Sequence, residues 1–217
     1  MTRVALSSQA ALGGGLDLLA LAGAAATAAL HFLTVSDGVN PYFIVGACVF
    51  WASFVVVRVR QRREILREWG FRLDNLREAS VVPLLFFTGA ASVLAVYALV
   101  KGHFSFPLHG VLLLLLYPVW GTIQQFLVLG VVVGNLEKVP FLGENRLLLV
   151  LLGAILFGAV HLPNLLLTAG TTVLALVYVP VFLRHRNVWP LGLVHGWLGS
   201  LFYLWALNQD PWLRTFG

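Results

Sequence analysis

Apolar and polar positions alternate along this chain in long blocks. Seven apolar runs stand out, near residues 14–35, 42–59, 81–101, 108–135, 147–162, 164–183 and 189–208, joined by short polar segments. About 20 apolar residues in helical form cross the hydrocarbon of a bilayer, so each run predicts a spanning helix. The run 108–135 is long enough to tilt or to extend past the bilayer. The runs flanking Leu162-Pro163-Asn164 are short and closely joined, which predicts an antiparallel helical hairpin. No internal repeat and no low-complexity linker interrupts the series. The expectation is an all-α, polytopic transmembrane helix bundle of about seven spans. It forms a single membrane domain over 1–217, with 1–80 giving the N-terminal spans and a basic cytoplasmic loop, and 81–208 the core.

Composition agrees with that pattern. Of 217 residues, 59% are hydrophobic and 11% charged, against about 25% charged in a soluble domain. The formal charge of +5 would suggest nucleic acid in a soluble protein. Here the basic residues fall in short loops, so membrane orientation explains them and no nucleic-acid partner is expected. Segment 58–78 carries Arg58, Arg60, Arg62, Arg63, Arg67, Arg72 and Arg77. Placing it in the cytoplasm also puts Arg3, Lys138, Arg146, Arg184 and Arg186 inside, and leaves only Lys101 and Arg214 outside. The chain then runs N-in, C-out, as a multi-pass protein of a bacterial cytoplasmic membrane in contact with membrane lipid. The same segment mixes charge with Ile65, Leu66, Trp69 and Phe71, so it reads either as an interfacial helix broken at Gly70 or as a solvated connector. The small-residue stretch 22–26 superficially resembles a secretory signal, but its apolar run is long for one, and an uncleaved first span is expected. Cys48, the single cysteine, excludes an internal disulfide and a cysteine-based metal cluster.

Chemistry is announced by polar side chains inside the apolar runs. Such groups are costly in hydrocarbon and usually face a bundle interior or a wet cavity. His161 ends Phe157-Gly158-Ala159-Val160-His161, His195 lies in Leu193-Val194-His195-Gly196-Trp197, and Gln124-Gln125 interrupts 108–135. Bland roles exist for each: interhelical hydrogen bonding for the glutamines, helix capping or headgroup contact for His161, a satisfied bundle histidine for His195.

In their order along three helices these clusters resemble the CPBP family of intramembrane proteases, which includes the CAAX prenyl endopeptidases and abortive-infection proteins. That family's pattern is Glu-Glu-x-x-x-Arg, then Phe-x-x-x-His, then His-x-x-x-Asn. Phe157 and His161 match the second motif, and His195 matches the head of the third, with Gly199 at the Asn position. The flanks His161-Leu162-Pro163-Asn164, Tyr178 and Arg184-His185-Arg186-Asn187-Val188-Trp189-Pro190 are also similar, and the resemblance covers roughly 80–205. It implies a peptidase acting on a membrane-embedded or lipid-linked peptide, in which the glutamate pair and histidines activate water. Catalytic roles would carry to Gln124, Gln125, His161 and His195, and substrate contact to Phe157, Asn164 and Gly199. No metal is assigned, although the resemblance leaves room for a divalent ion at His161 and His195.

The first motif departs from the family, because Gln124 and Gln125 stand for the glutamates and Leu129 for the arginine. A glutamine has nearly the shape of glutamate but does not titrate. It can orient water or donate to an oxyanion, while loss of a general base removes about 10²–10⁴-fold in rate. Two expectations therefore compete: a peptidase with an altered site, or a proteolytically inactive CPBP-fold protein that binds a peptide, lipid or partner protein. Imidazole titrates near neutrality, so His161 or His195 could act as base. Two histidines alone make a poor catalytic zinc site. Glu137, about 18 Å along a helix from Gln125, is a poor substitute. Asp17 and His31 could approach only through packing that sequence does not show. Depth adds a tension: Gln124 and His195 fall in the cytoplasmic third, whereas His161 comes out nearer the outside. His103 and His109 are expected to be solvated and His185 interfacial. Trp51, Trp69, Trp189 and Trp212 are expected in an aromatic belt. A transporter is disfavoured by the lack of paired broken spans.

Overall fold

Each of the seven apolar runs is a helix in the computed structural model, which describes residues 15–34 and 41–216. Ten helices form among these residues: α1 (Leu18–Thr34), α2 (Pro41–Gln61), α3 (Ile65–Glu68), α4 (Leu76–Lys101), α5 (Gly110–Leu136), α6 (Pro140–Glu144), α7 (Arg146–Ala159), α8 (Leu165–His185), α9 (Trp189–Leu201, continued by Phe202–Ala206) and α10 (Pro211–Phe216). No strand occurs among the described residues. Helices α2, α4, α5 and α8 are long and apolar enough to cross a membrane, and α1 and α7 are shorter apolar helices of 17 and 14 residues. The molecule is an all-helical integral membrane protein. Arg3, used in the orientation argument, lies outside the described residues.

Local chemistry sets the helix ends. Asp17 accepts from Ala20 N at 3.1 Å and opens α1. Asn145 and Asn164 do the same for α7 and α8, each accepting from the backbone three residues on, at 3.1 and 3.0 Å. Helix α4 closes at Gly102, whose left-handed φ of 71° lets His103 N reach Ala98 O at 2.8 Å. Immediately after Gln124-Gln125, α5 widens into π-helical turns over Phe126–Val133, and α9 does so over Phe202–Ala206. Such turns concentrate at functional sites.

The main core joins α5, α7, α8 and α9 around Phe157, Tyr178, Phe182 and Leu191, with α4 packed against it through Phe86 and Phe87. Helices α5 and α9 meet backbone to backbone. A Cβ on Gly121 would come within 2.7 Å of Gly192 O and Gly196 N, and one on Gly196 would strike the backbone of Pro118. Small residues at helical spacing permit this approach in membrane bundles.

A second cluster gathers Trp51, Ile65, Trp69, Phe126 and Val131. It corrects the belt expectation for two tryptophans and the solvated-connector reading of 58–78. Trp51 and Trp69 do not lie in an aromatic belt, because both are buried. Trp51 donates Nε1–H to Thr27 Oγ1 at 3.0 Å and packs edge-on to Phe126, and Trp69 also packs on Phe126. Segment 58–78 is not a solvated connector throughout, since Ile65 and Trp69 are buried. Helix α2 runs on to Gln61, and the chain then buries Ile65 and Trp69 against the bundle, while Leu73 and Arg67 stay exposed. Gly70, at φ 86°, makes the turn. Its carbonyl accepts from Val188 N at 2.9 Å, and Asn187 donates Nδ2–H to Arg72 O at 2.9 Å. His109 is not simply solvated either, since its Nε2 lies 2.6 Å from Asp210 Oδ2.

Candidate active site

A cavity of about 1090 Å³ opens among α4, α5, α8 and α9, with α1 and α2 on one side. Its walls are mostly apolar. The polar groups on them include Gln124, His161, Asn164, His195 and His31, and no Asp, Glu, Lys or Arg lines it among the described residues. Large apolar pockets with a few convergent polar groups are the usual form of a binding or catalytic site.

The backbone contact between α5 and α9 sets the first pair. With Gly121 against Gly192 and Gly196, the side chains next along each helix meet, and His195 Nε2 lies 2.9 Å from Gln124 Oε1. The amide oxygen accepts, so the ring carries its proton on Nε2, leaving a lone pair on Nδ1. The Gln124 NH₂ group remains as a donor. His195 is buried and Gln124 half-buried.

His161 follows the end of α7. Its Nδ1–H donates to Phe157 O at 2.8 Å, which fixes the tautomer and leaves a lone pair on Nε2. The Phe157 ring stands between the imidazoles, edge to face with both, at 5.0 Å from His161 and 5.3 Å from His195. The shared ring brings His161 close to His195, although their spans had predicted different depths. Gly158 lets α7 approach Thr172 and Thr168 of α8, closing the hairpin above it.

Other expected residues divide. Asn164 and Gly199 line the cavity. The Asn164 side-chain oxygen is engaged in capping α8. A Cβ at Gly199 would sit 3.7 Å from Tyr117 in ordinary contact, so the missing Asn is not a steric consequence of the fold. Phe157 and Gln125 are 1% exposed and stand behind the wall, so any part they take in the site is indirect. Gln125 Nε2 has no partner among the described residues. Leu129 is wholly buried in the main core.

Residues 104–201 match the family model described as type II CAAX prenyl endopeptidase, Rce1-like. The segment belongs to the CPBP family. No curated protein and no solved structure matches the chain. The CPBP segment supplies Gln124, His161 and His195, and α1, α2 and α4 lie outside it.

The donor set does not suit a metal. Gln124 is neutral, and no group of three or more His, Cys, Asp or Glu side chains among the described residues is disposed to hold an ion. The alternative acids are committed elsewhere. Asp17 accepts from Arg58 at 2.6 Å and Glu137 pairs with Arg186. Burial lowers the Arg186 pKa from its usual value.

Sequence reasoning missed two features. One is the Gly192-x-x-x-Gly196-x-x-x-Ser200 stripe that seats α9 on α5, which small-residue spacing could have shown. The other is the arrival of His31 in the cavity. Nothing local marks it, because the contact depends on how α1 packs.

Proposed function

We propose that this protein is a CPBP-type intramembrane peptidase with an altered site, hydrolysing a hydrophobic or lipidated peptide that enters the cavity from the membrane. The reading rests most on one observation: the 2.9 Å bond between His195 and Gln124 in a large apolar cavity that also holds His161. Gln124 would orient water or the scissile carbonyl, with its NH₂ donating to the developing oxyanion. Gln125 would support it from behind. With no carboxylate on the cavity wall among the described residues, proton transfer falls to imidazole. The family model's description names CAAX prenyl endopeptidase activity, and a prenylated peptide is the first substrate to try. We place the chain in the membrane as about seven spans, N-in, with the arginines of 58–78 in the cytoplasm.

The test is cleavage of a fluorogenic farnesylated peptide by purified protein in liposomes. Wild-type protein should cleave it, and His161→Ala and His195→Ala should each lose about 10²-fold or more. Cleavage that persists when both histidines are removed would defeat the mechanism.

A second reading is a binding protein that no longer cleaves. It is favoured by the joint absence of charge at Gln124, Gln125 and Leu129. A lone arginine there would be a buried unpaired ion, and none is present. Gln124→Glu with Gln125→Glu separates the two. Cleavage gained only in that variant marks the natural chain as a binder.

A further inference from the structure

The cavity lies toward one end of the bundle. Helix α1 reaches it with His31, near its C-terminal end, and α2 with Phe43 and Ile44, in its first turn. On α5 the lining runs from Tyr117 to Gln124 and stops where the π-helical turns begin. Helix α8 contributes nothing beyond Leu174, and α9 nothing before His195. Helix α4 gives its middle, between Leu85 and Leu94. Because they share one cavity, the end of α1, the starts of α2, α5 and α8, and the end of α9 belong to the same face of the bundle.

The arginines sit at the opposite ends of these helices. Arg58 and Arg60 fall in the last turn of α2, Arg77 in the first turn of α4, and Arg184 in the last turn of α8, with Arg186 as its cap. Arg146 opens α7 at the end away from His161. None of them lines the cavity. That end of the bundle is also filled: Trp51, Trp69 and Phe126 pack together there, and Phe182 and Leu191 belong to the main core beside them. By chain position, Lys101 and Arg214 are the Lys and Arg residues at the cavity end. Such a bias places the filled, arginine-rich end in the cytoplasm. The hollow end then lies in the other half of the bilayer.

The side walls lead into lipid. Leu85 and Val93 of α4, and Leu166 and Val173 of α8, line the cavity and are exposed. Apolar surface therefore continues from the cavity onto the outside of these helices, where it meets acyl chains.

We infer that the substrate enters from the extracytoplasmic leaflet, so that the class taken is an exported hydrophobic or lipidated peptide rather than one anchored on the cytoplasmic side. The inference rests on the peptidase reading above and on the cytoplasmic placement of the arginines. A peptide held in the extracytoplasmic leaflet reaches His161 and His195 along apolar walls. One held in the cytoplasmic leaflet meets the aromatic cluster around Phe126 instead.

The experiment uses the full-length chain. Cys48 is the single cysteine, so Cys48→Ala gives a background for new ones. Ser105→Cys marks the cavity end, in the exposed joint between α4 and α5, and Gln61→Cys marks the arginine end without removing a charge. A membrane-impermeant maleimide added to spheroplasts should label Ser105→Cys and should reach Gln61→Cys only after permeabilisation. The farnesylated peptide, carrying a sulfonated fluorophore whose charge keeps it from crossing the bilayer, is then given to right-side-out and to inverted membrane vesicles. Cleavage is counted as the part lost in His161→Ala. It should occur in right-side-out vesicles, be lost in inverted ones, and return there when detergent opens them. Labelling of Gln61→Cys in intact spheroplasts would put the arginines outside and overturn the inference, whatever the activity. Expected labelling with cleavage only in inverted vesicles would also overturn it, while the peptidase reading stands. If neither vesicle type cleaves even in detergent, the peptidase reading falls and the inference falls with it.

Discussion

The two ends of this molecule are held by different means. In α8 and α9 buried residues recur along the helix, and α9 lies so close to α5 that glycine backbones touch. In α1 and α2 the described residues include one fully buried side chain each, Ala20 and Trp51, while large apolar groups such as Leu33, Tyr42 and Val49 are exposed. In a membrane those exposed faces meet lipid, so the hydrophobic effect does not press the helices together, and association rests on packing and hydrogen bonds. The C-terminal part has many such contacts. The N-terminal pair has a few strong ones: Trp51 on Phe126, Arg58 on Asp17, and Asp17 N on Asn135 Oδ1 at 2.6 Å. The site straddles this difference, with His161 and His195 on the tightly packed side and His31 on the lightly held one.

Glycine substitutions should expose the contrast most sharply. Gly196→Leu would drive a side chain into the Pro118 backbone, which cannot yield as a side chain can. Overpacking ordinarily costs about 1–3 kcal/mol, and a backbone clash should exceed that, so little folded protein should be recovered from detergent. Gly46→Leu, on α2, meets nothing within 4 Å, and its melting temperature should match wild type. Equal effects at the two positions would show that the two regions are packed alike.

The fold was more legible than the site. Long apolar runs bounded by arginine-rich or Asn-Pro joints leave little choice but helices, and all seven appear. The short α7 was also readable, but not that His161 and His195 meet on the same Phe157 ring. Phe157 and His161 could be paired from their i, i+4 spacing. The meeting of Gln124 with His195 depended on family resemblance, because hydropathy does not say which helices touch. Trp51 and Trp69 misled because tryptophan near a span end fits a belt and a core equally well. Only the partner, Phe126, decides between them. His31 was out of reach for the same reason: its place depends on the packing of α1, and nothing in its own sequence neighbourhood marks it.

Trp51 is the next point at which to separate the regions. Trp51→Ala removes the largest buried side chain of α2 and its bond to Thr27. Truncations of this kind cost about 3–5 kcal/mol. Because few other contacts hold the pair, the effect should be local. Hydrogen exchange should rise through α1 and α2 while α8 and α9 stay protected. Uniform loosening of all helices would mean that the molecule unfolds as one unit.

The smallest effect lies in the joint between the regions, where the loop after α3 docks beside Asn187. The guanidinium of Arg72 bonds the Asp74 carboxylate, at 3.0 Å through Nε and 2.7 Å through Nη2, and Arg67 reaches the same group at 2.8 Å. The Arg72 bond, aided by the Arg67 charge, holds the Asp74 pKa down at about 2, against an ordinary value of about 3.9. A carboxylate depressed on folding stabilises the native state above its unfolded pKa and loses that contribution as the pH falls through its folded one. The contribution should therefore be whole above about pH 4 and fade toward pH 2, and it should be small, since the group is in water. Carbon-13 NMR of labelled aspartate in micelles should show Asp74 titrating near 2, and Arg72→Ala should move its midpoint up toward the ordinary range. Because Asn187 bonds the Arg72 carbonyl rather than its side chain, the loop should stay docked in that variant. If it undocks, the joint is held by charge and not by the backbone hydrogen bonds to Val188 and Asn187.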